Sequence, residues 1–181
     1  MPATENFRDG LLAAVPTLRA FAVSLAKNTD RADDLVQETL VKAWDKQDSF
    51  QPGTNLKAWL FTILRNEFYS QMRKRRREVE DSDGSITARL SVHPSQDGSS
   101  DLTDFRKALA LLPEDQREAI ILIGASGFSY EEAAEICGCA VGTIKSRVSR
   151  ARARLQEILS VDGQSDFGPD AISTQVTNSA L

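Results

Sequence analysis

Basic side chains are concentrated in one stretch of the chain, between residues 145 and 154. Lys145 and four arginines lie there, and no acidic residue interrupts them. Arg and Lys bind phosphate oxygens, and Arg and Ser can also hydrogen-bond to base edges in the DNA major groove. An ordinary solvated helix usually mixes both signs of charge. The pattern therefore favours a nucleic-acid interface over a surface helix that is basic by chance.

Two predicted helices position these side chains as a helix-turn-helix. Ser129 is placed as the N-cap of a helix over 131–137, and Glu132 completes a capping box. Gly138 supplies the break, because glycine adopts a positive φ without steric cost. A second helix over about 141–159 has a narrow apolar seam made of Ile144, Val148, Ala151 and Leu155. Counted from Tyr130, the contact, turn and inward positions of the motif hold Ala134, Gly138 and Ile144.

A second candidate surface lies on a long helix predicted over 56–76, with Asn55 as its cap. One side is apolar. The opposite side carries Thr62, Arg65, Asn66, Tyr69 and Arg73, and the helix ends in the basic run 73–77. An arginine run alone is more often a solvated tail or a nonspecific phosphate contact. Rings and amides between the cations favour single-stranded nucleic acid, since bases stack on rings while cations follow the backbone.

The helix predicted over 31–46 carries a possible protein-docking patch. Its polar side presents Asp34, Gln37, Glu38 and Val41. An apolar side chain ringed by carboxylates and an amide fits a protein interface. A single exposed valine is also ordinary on a soluble protein. The pattern alone leaves these two interpretations open.

The whole chain has 181 residues, a net charge of −4 and 41% hydrophobic residues, which is a globular composition. Helical periodicity recurs and no strand-type alternation is sustained, so the predicted fold class is all-α. We expect two small helical bundles over 1–77 and 102–160. A flexible acidic linker over 78–101 would join them, and a tail over 161–181 would be disordered.

The N-terminal segment 5–27 is expected to form two helices, the second starting near Pro16, because proline fits the first turn of a helix. No run approaches a membrane span, and the N-terminus lacks a basic-then-apolar signal pattern. We therefore expect a cytoplasmic protein without membrane insertion.

Chemistry on bound small molecules is not expected. The chain has one histidine, no phosphate-binding loop and no paired carboxylates in an evident cleft. Cys137 and Cys139 are the only cysteines, and His93 lies in a different segment, so a metal site is not predicted. The two thiols are interpreted as packing residues. We expect no enzyme activity, no cofactor and no metal.

Four segments together carry a resemblance to a known family. They are DDLVQETLVKAW (33–44), NLKAWLFTILRNEFYSQMRKRRR (55–77), LPEDQREAIILI (112–123) and SYEEAAEICGCAVGTIKSRVSRARARL (129–155). In this order they resemble the conserved regions of extracytoplasmic-function (ECF) sigma factors of bacterial RNA polymerase, over about residues 11–159. The stretch 124–147 is most similar to the branch that runs the general stress response in alphaproteobacteria.

The resemblance implies roles for the candidate residues. The first bundle is similar to sigma domain 2 and the second to sigma domain 4. The docking patch Asp34, Gln37, Glu38 and Val41 would bind the clamp coiled coil of the polymerase β′ subunit. The promoter −10 element would meet the loop 49–55 and Thr62, Arg65, Asn66, Tyr69, Arg73 and Arg76, with Asn66 at a base-reading position. The −35 bases would face Lys145, Ser146, Ser149 and Arg150, and its phosphates would face Thr143, Arg147 and Arg152.

The same resemblance implies the partners: core RNA polymerase, also through its β flap, promoter DNA, and an anti-sigma factor. Position 149 is aromatic in some members, so Ser149 leaves the base preference open. Three rival interpretations remain. A stand-alone helix-turn-helix regulator would need its own dimerisation surface. A sigma mimic would be expected to lose the basic recognition residues. The third is an enzyme, and no feature of the sequence favours it.

Overall fold

The computed structural model describes residues 2–81 and 100–162 and forms seven α-helices in those ranges. They are α1 Pro2–Ala26, α2 Thr29–Asp45, α3 Leu56–Asp81, α4 Ser100–Leu111, α5 Glu114–Gly124, α6 Tyr130–Cys137 and α7 Val141–Asp162, with a short 3₁₀ turn at Gln47–Ser49. Over the described ranges no strand occurs, which confirms the all-α prediction. Most of the predicted linker and of the predicted disordered tail lies outside the described residues.

The helices extend further than the sequence pattern indicated. α3 continues through the basic run to Asp81, and α4 begins at Ser100, so both enter the predicted linker range 78–101. α7 likewise runs two residues into the predicted tail. Helix ends set by polar residues are difficult to place from sequence, because no apolar periodicity marks them.

The N-terminal segment is one helix, and the prediction of two helices separated near Pro16 was wrong. Pro16 lies inside α1. A proline in a helix interior removes one backbone hydrogen bond, here the one to the carbonyl of Leu12. Both residues lie on the exposed side of α1, where water can bond to that carbonyl. The buried side stays continuous through Leu11, Ala14, Leu18, Phe21, Ala22 and Leu25.

The first bundle, α1 to α3, closes around a small aromatic and aliphatic core. The rings of Phe21 and Phe61 stack at 4.8 Å, and neither is solvent-accessible. An asparagine side chain caps the start of each of the helices α2 and α3, and Asn55 is the cap predicted for α3. Asn28 Oδ1 accepts from the Arg31 amide at 2.9 Å, and Asn55 Oδ1 accepts from the Ala58 amide at 3.1 Å. These side chains satisfy amides that have no intrahelical partner.

The second bundle, α4 to α7, packs directly against the first. Buried residues from both form one continuous hydrophobic cluster, in which Phe61 of α3 meets Phe128 of the α5–α6 loop with ring centroids 4.9 Å apart. A smaller cluster of Ala108, Leu112, Ala151 and Leu155 joins α4 and the α4–α5 connection to α7 within the second bundle. The relative position of the bundles is therefore set by a shared core.

Polar contacts surround that shared core. On one side Lys27 Nζ donates to the Ala110 carbonyl and Arg117 Nε donates to the Ser24 carbonyl, both at 2.8 Å. On the other side Asn55 Nδ2 donates to Glu132 Oε1 at 2.6 Å, and Lys57 Nζ donates to a backbone carbonyl of the α5–α6 loop. Each bundle thus places a cationic side chain on a backbone carbonyl of the other.

α1 also bears on the membrane question. Its segment Phe7–Ala26 is long and apolar enough to cross a bilayer by length and composition alone. The prediction that no run of the sequence approaches a membrane span was therefore too strong. A helix that contributes one face to a soluble core meets the same criterion. α1 contributes such a face, with Leu18, Phe21 and Ala22 fully buried against the neighbouring helices.

Candidate nucleic-acid interface

The helix-turn-helix forms as the residue spacing predicts. The Ser129 hydroxyl accepts from the Glu132 amide, and the Glu132 carboxylate accepts from the Ser129 amide, which completes the capping box at the start of α6. Gly138 ends α6 in the left-handed region with φ of 63°. The predicted seam of α7 is buried along its length: Ile144, Val148, Ala151 and Leu155. This seam fixes which side of α7 faces outward.

The outward side of α7 is basic and accessible. Lys145, Ser149, Arg150 and Arg152 are exposed, and Thr143 and Ser146 are half-buried. The Ser146 hydroxyl donates to the Thr143 carbonyl at 2.9 Å and keeps its lone pairs for another donor. These six predicted −35 residues therefore share one surface.

Arg147 is the seventh predicted −35 residue, and it has a partner inside the bundle. Its Nε lies 3.2 Å from Oδ2 of Asp115 on α5, and its Nη1 lies 3.9 Å from Sγ of Cys139. The side chain is 23% exposed. In this structure Arg147 ties α7 to α5, and only part of its guanidinium faces solvent.

The six predicted −10 residues divide into two groups on α3. Asn66, Arg73 and Arg76 are exposed, and the half-buried Thr62 donates its hydroxyl to the Ala58 carbonyl at 2.9 Å. Arg65 and Tyr69 instead face the second bundle. The sequence placed Thr62, Arg65, Asn66, Tyr69 and Arg73 on one outer side of the helix, and part of that side is covered here.

Arg65 and Tyr69 both contact Glu118 of α5. Its carboxylate is 1% exposed and accepts two hydrogen bonds from the Arg65 guanidinium, at 2.7 and 3.3 Å. The Tyr69 hydroxyl lies 3.5 Å from the same carboxylate, and the Arg65 guanidinium stacks over the Tyr69 ring at 4.7 Å. Burial lowers the pKa of Arg65, but the hydrogen bond and charge of Glu118 give it a net increase. Burial and the same carboxylate raise the pKa of Tyr69.

Sequence reasoning missed Glu118. It directly precedes the apolar positions of α5, which are Ala119, Ile120, Leu122 and Ile123. One signal was available, because Arg117 and Glu118 stand directly beside those apolar positions. Both are buried in the structure, and charged side chains are almost never fully buried unless they are paired, so their position indicated a need for partners. The partner residues, however, lie 53 and 49 positions earlier in the chain.

The predicted docking patch on α2 is accessible and larger than expected. Asp34, Gln37, Glu38 and Val41 are all exposed. Val41, 60% exposed, is not isolated, because it lines a shallow groove with Leu12 of α1 and Trp44, which are 60% and 42% exposed. Three large apolar side chains around one groove are a stronger interface signal than a single exposed valine.

Metal ligation and thiol chemistry find no support in the described ranges. No group of three His, Cys, Asp or Glu side chains there could hold a metal ion. Cys137 is buried and Cys139 is partly buried, as expected of packing residues. Burial raises the pKa of the Cys137 thiol to about 12, so it stays protonated and unreactive at neutral pH.

Comparisons with known proteins agree with this architecture. The family model Sigma-70 region 2 matches residues 12–78, and Sigma-70 region 4 matches residues 102–155. These two regions, in this order on an all-α fold with a basic helix-turn-helix, define the class of RNA polymerase sigma factors. A curated relative, the ECF RNA polymerase sigma factor EcfG of Rhodopseudomonas palustris, is 66% identical over 94% of both chains. The chain belongs to the ECF sigma factor family and is of the EcfG type.

Two solved structures are also similar. The sigma factor RpoE in complex with the anti-sigma factor NepR, from Bartonella quintana, is 70% identical and superposes with a TM-score of 0.78 over 88% of this chain and 99% of its own. CnrH in complex with the cytosolic domain of CnrY is 29% identical, with a TM-score of 0.64 over 88% and 91% of the two chains. As a sigma factor, the chain acts as a non-enzymatic initiation factor that binds RNA polymerase core and promoter DNA.

Proposed function

We propose that this sigma factor recognises promoters with two separate faces, the outward side of α7 for the −35 element and the outward side of α3 for the −10 element. The observation that carries the proposal is the basic surface of α7. Its apolar seam is fully packed, and Lys145, Ser149 and Arg150 project from the opposite side. A helix held this way presents side chains to the major groove without unfolding any part of its bundle.

The −10 assignment is supported by the exposed group on α3. Asn66 offers an amide for the edge of a base, while Arg73 and Arg76 lie about two and about three turns further along the same helix, in the basic run. Opening a duplex costs about 1–2 kcal/mol per base-pair step, and each captured or stacked base returns about 1–3 kcal/mol. A few such contacts cannot melt many base pairs, so we expect strand opening only with the polymerase.

The docking side of α2 supports binding to the β′ clamp coiled coil. Arg8 and Asp45 line the groove beside the apolar side chains Leu12, Val41 and Trp44. Asp34, Gln37 and Glu38 are also exposed on α2, so the interface has polar residues around an apolar centre. The β flap would meet the second bundle. There α4 exposes Leu102, Phe105 and Leu111, which the bundle itself leaves uncovered.

Regulation follows from the solved relatives. RpoE was solved in complex with the anti-sigma factor NepR, and CnrH in complex with the cytosolic domain of CnrY. We infer that this chain is likewise held inactive by a small anti-sigma protein. We further propose that it acts in the cytoplasm, where its polymerase is, and that the genes it serves belong to a general stress response.

An in vitro transcription assay with core polymerase tests the proposal. The purified chain should direct initiation from a promoter that carries both elements, and replacing either element should reduce the transcript. A stand-alone regulator or a sigma mimic would give no promoter-specific transcript with core polymerase alone. That result would refute promoter recognition by these faces.

A further inference from the structure

Two of the residues proposed to bind the −10 element are already occupied inside the molecule. The Arg65 guanidinium is only 18% exposed, because it reaches from α3 into the second bundle and stacks on Tyr69 beside Glu118. In this arrangement neither the guanidinium nor the covered face of the Tyr69 ring is available to a nucleic acid.

Glu118 offers Arg65 the same chemistry that DNA would offer. A carboxylate accepts two parallel hydrogen bonds from a guanidinium, as a phosphate or the paired acceptors of a guanine do. The guanidinium in turn covers the aromatic face on which an unstacked base would lie. We propose that Glu118 is an internal competitor for the −10 strand: it holds Arg65 and Tyr69 while the bundles are closed, and the strand must replace it. This inference rests on the proposed −10 role of α3.

The competitor is held by contacts that have nothing to do with DNA. Lys27 and Arg117 each donate to a backbone carbonyl of the other bundle, and Phe128 packs against Phe61 at the centre of the shared interface. These contacts hold the bundles together with Glu118 opposite Arg65. The pair is desolvated, so salt screens it much less than it would screen an exposed pair.

Asn66 and Arg73 remain exposed beside the covered residues. A promoter strand can therefore touch the edge of the −10 face in the closed state but cannot occupy all of it. A ligand shifts a two-state equilibrium only by its difference in affinity between the two states. If the polymerase binds the two bundles in a separated arrangement, Arg65 and Tyr69 are released from Glu118. The free chain, in which the bundles are closed, would bind DNA only weakly.

The test uses the full-length chain without polymerase. Glu118→Gln keeps the shape of the side chain and removes its charge. Lys27→Met removes the hydrogen bond from Lys27 to the Ala110 carbonyl, a contact between the bundles in which no proposed DNA residue takes part. Glu67→Gln is the matched control, because the Glu67 carboxylate pairs with Lys42 inside the first bundle only. The readouts are the inter-bundle distance, from fluorescence energy transfer between a label on each bundle, and the affinity for a fluorescent single-stranded −10 oligonucleotide.

We expect Glu118→Gln to lengthen the mean inter-bundle distance and to tighten oligonucleotide binding about tenfold. Lys27→Met should change both in the same direction by about threefold in affinity, and Glu67→Gln should change neither. Thermal unfolding followed by circular dichroism shows whether each variant is folded; if Glu118→Gln is not, Lys27→Met alone decides. A folded variant that stays closed, or that opens without binding the strand more tightly, overturns the proposal.

The −10 assignment has a separate readout in the same assay. Asn66→Ala should weaken oligonucleotide binding in the Glu118→Gln background. If it does not, the −10 face is assigned wrongly. If Asn66→Ala weakens binding and Glu118→Gln does not strengthen it, the −10 face stands and the competitor is refuted.

Discussion

The arginines of this protein fall into two groups, those that bind other parts of the chain and those that are exposed and available to DNA. Arg65, Arg117 and Arg147 are held by partners within the protein, and each links elements that are distant in the chain. Arg150 and Arg152 are exposed on α7 and keep their donors for a phosphate or a base. Burial lowers the pKa of Arg117, yet guanidinium groups remain charged at any pH of interest. The partner, and not the residue type, decides which arginines can bind DNA.

Arg150→Ala should weaken recognition of the −35 element by about 1–3 kcal/mol, because it removes one base-directed cation without disturbing the buried seam. The measurement is transcription from promoters with matched and altered −35 elements. Arg106→Ala, an exposed arginine on α4, is the control and should leave the preference unchanged. Equal transcription by Arg150→Ala and the wild type would show that this face does not contact the element.

Asn66→Ala should impair strand opening more than polymerase binding. The side chain is exposed and carries no structural contact that its loss would break, so the change acts on the base that it reads. The two steps can be measured separately, by binding of the variant to core polymerase and by permanganate reactivity of the opened −10 region. Equal losses in both measurements would contradict a base-reading role.

At the scale of elements, α6 shows how local capping and contact between the bundles are combined. Glu132 completes the capping box of α6 and also accepts a hydrogen bond from Asn55, which itself caps α3. The Ser129 amide and the Asn55 amide together hold the pKa of the Glu132 carboxyl below its usual value of 4.5. The starts of two helices from different bundles thus depend on one carboxylate.

The pH dependence of stability follows from that lowered pKa. A group whose pKa is lower in the folded chain stabilises it above the unfolded pKa, and this contribution is lost as pH falls through the folded value. Glu132→Gln keeps an acceptor but cannot be protonated. As the pH is lowered from about 6 to about 4, the midpoint temperature of thermal unfolding should therefore fall less for the variant than for the wild type. Parallel midpoints for the two proteins would show that Glu132 does not contribute.

At the scale of the whole molecule, the two bundles share one core, so we expect them to unfold as one unit. Phe128 belongs to the second bundle but is buried against Phe61 of the first. Both tryptophans, Trp44 and Trp59, belong to the first bundle. Their fluorescence therefore reports whether damage to the second bundle reaches the first.

Phe128→Ala should cost about 3–5 kcal/mol, because it empties the centre of the interface. If the bundles unfold together, the denaturation midpoint seen by tryptophan fluorescence should fall by the same amount as the midpoint seen by circular dichroism. Leu111→Ala is the control, since Leu111 is 64% exposed and lies outside the interface. A tryptophan transition that stays in place would mean that the bundles unfold independently.

Local patterns in the sequence were sufficient for the parts of the molecule whose causes are local. The seam of α7, the capping box at Ser129 and the turn at Gly138 each depend on residues a few positions apart, so their spacing predicted them. The family resemblance carried the class of protein for the same reason, since it rests on ordered motifs. The break expected at Pro16 failed because the buried face of α1, formed by contacts with α2 and α3, outweighs one missing hydrogen bond.

What only the tertiary structure decided is which parts of the predicted DNA face are open. The pattern on α3 groups Arg65 and Tyr69 with Asn66, because helical spacing alone sets which residues share a side. Glu118 meets them from more than forty residues further along the chain, through a core that neither bundle forms alone. Periodicity shows which residues share a face of one helix. Which other part of the chain covers that face is decided by packing between elements that are distant in the sequence.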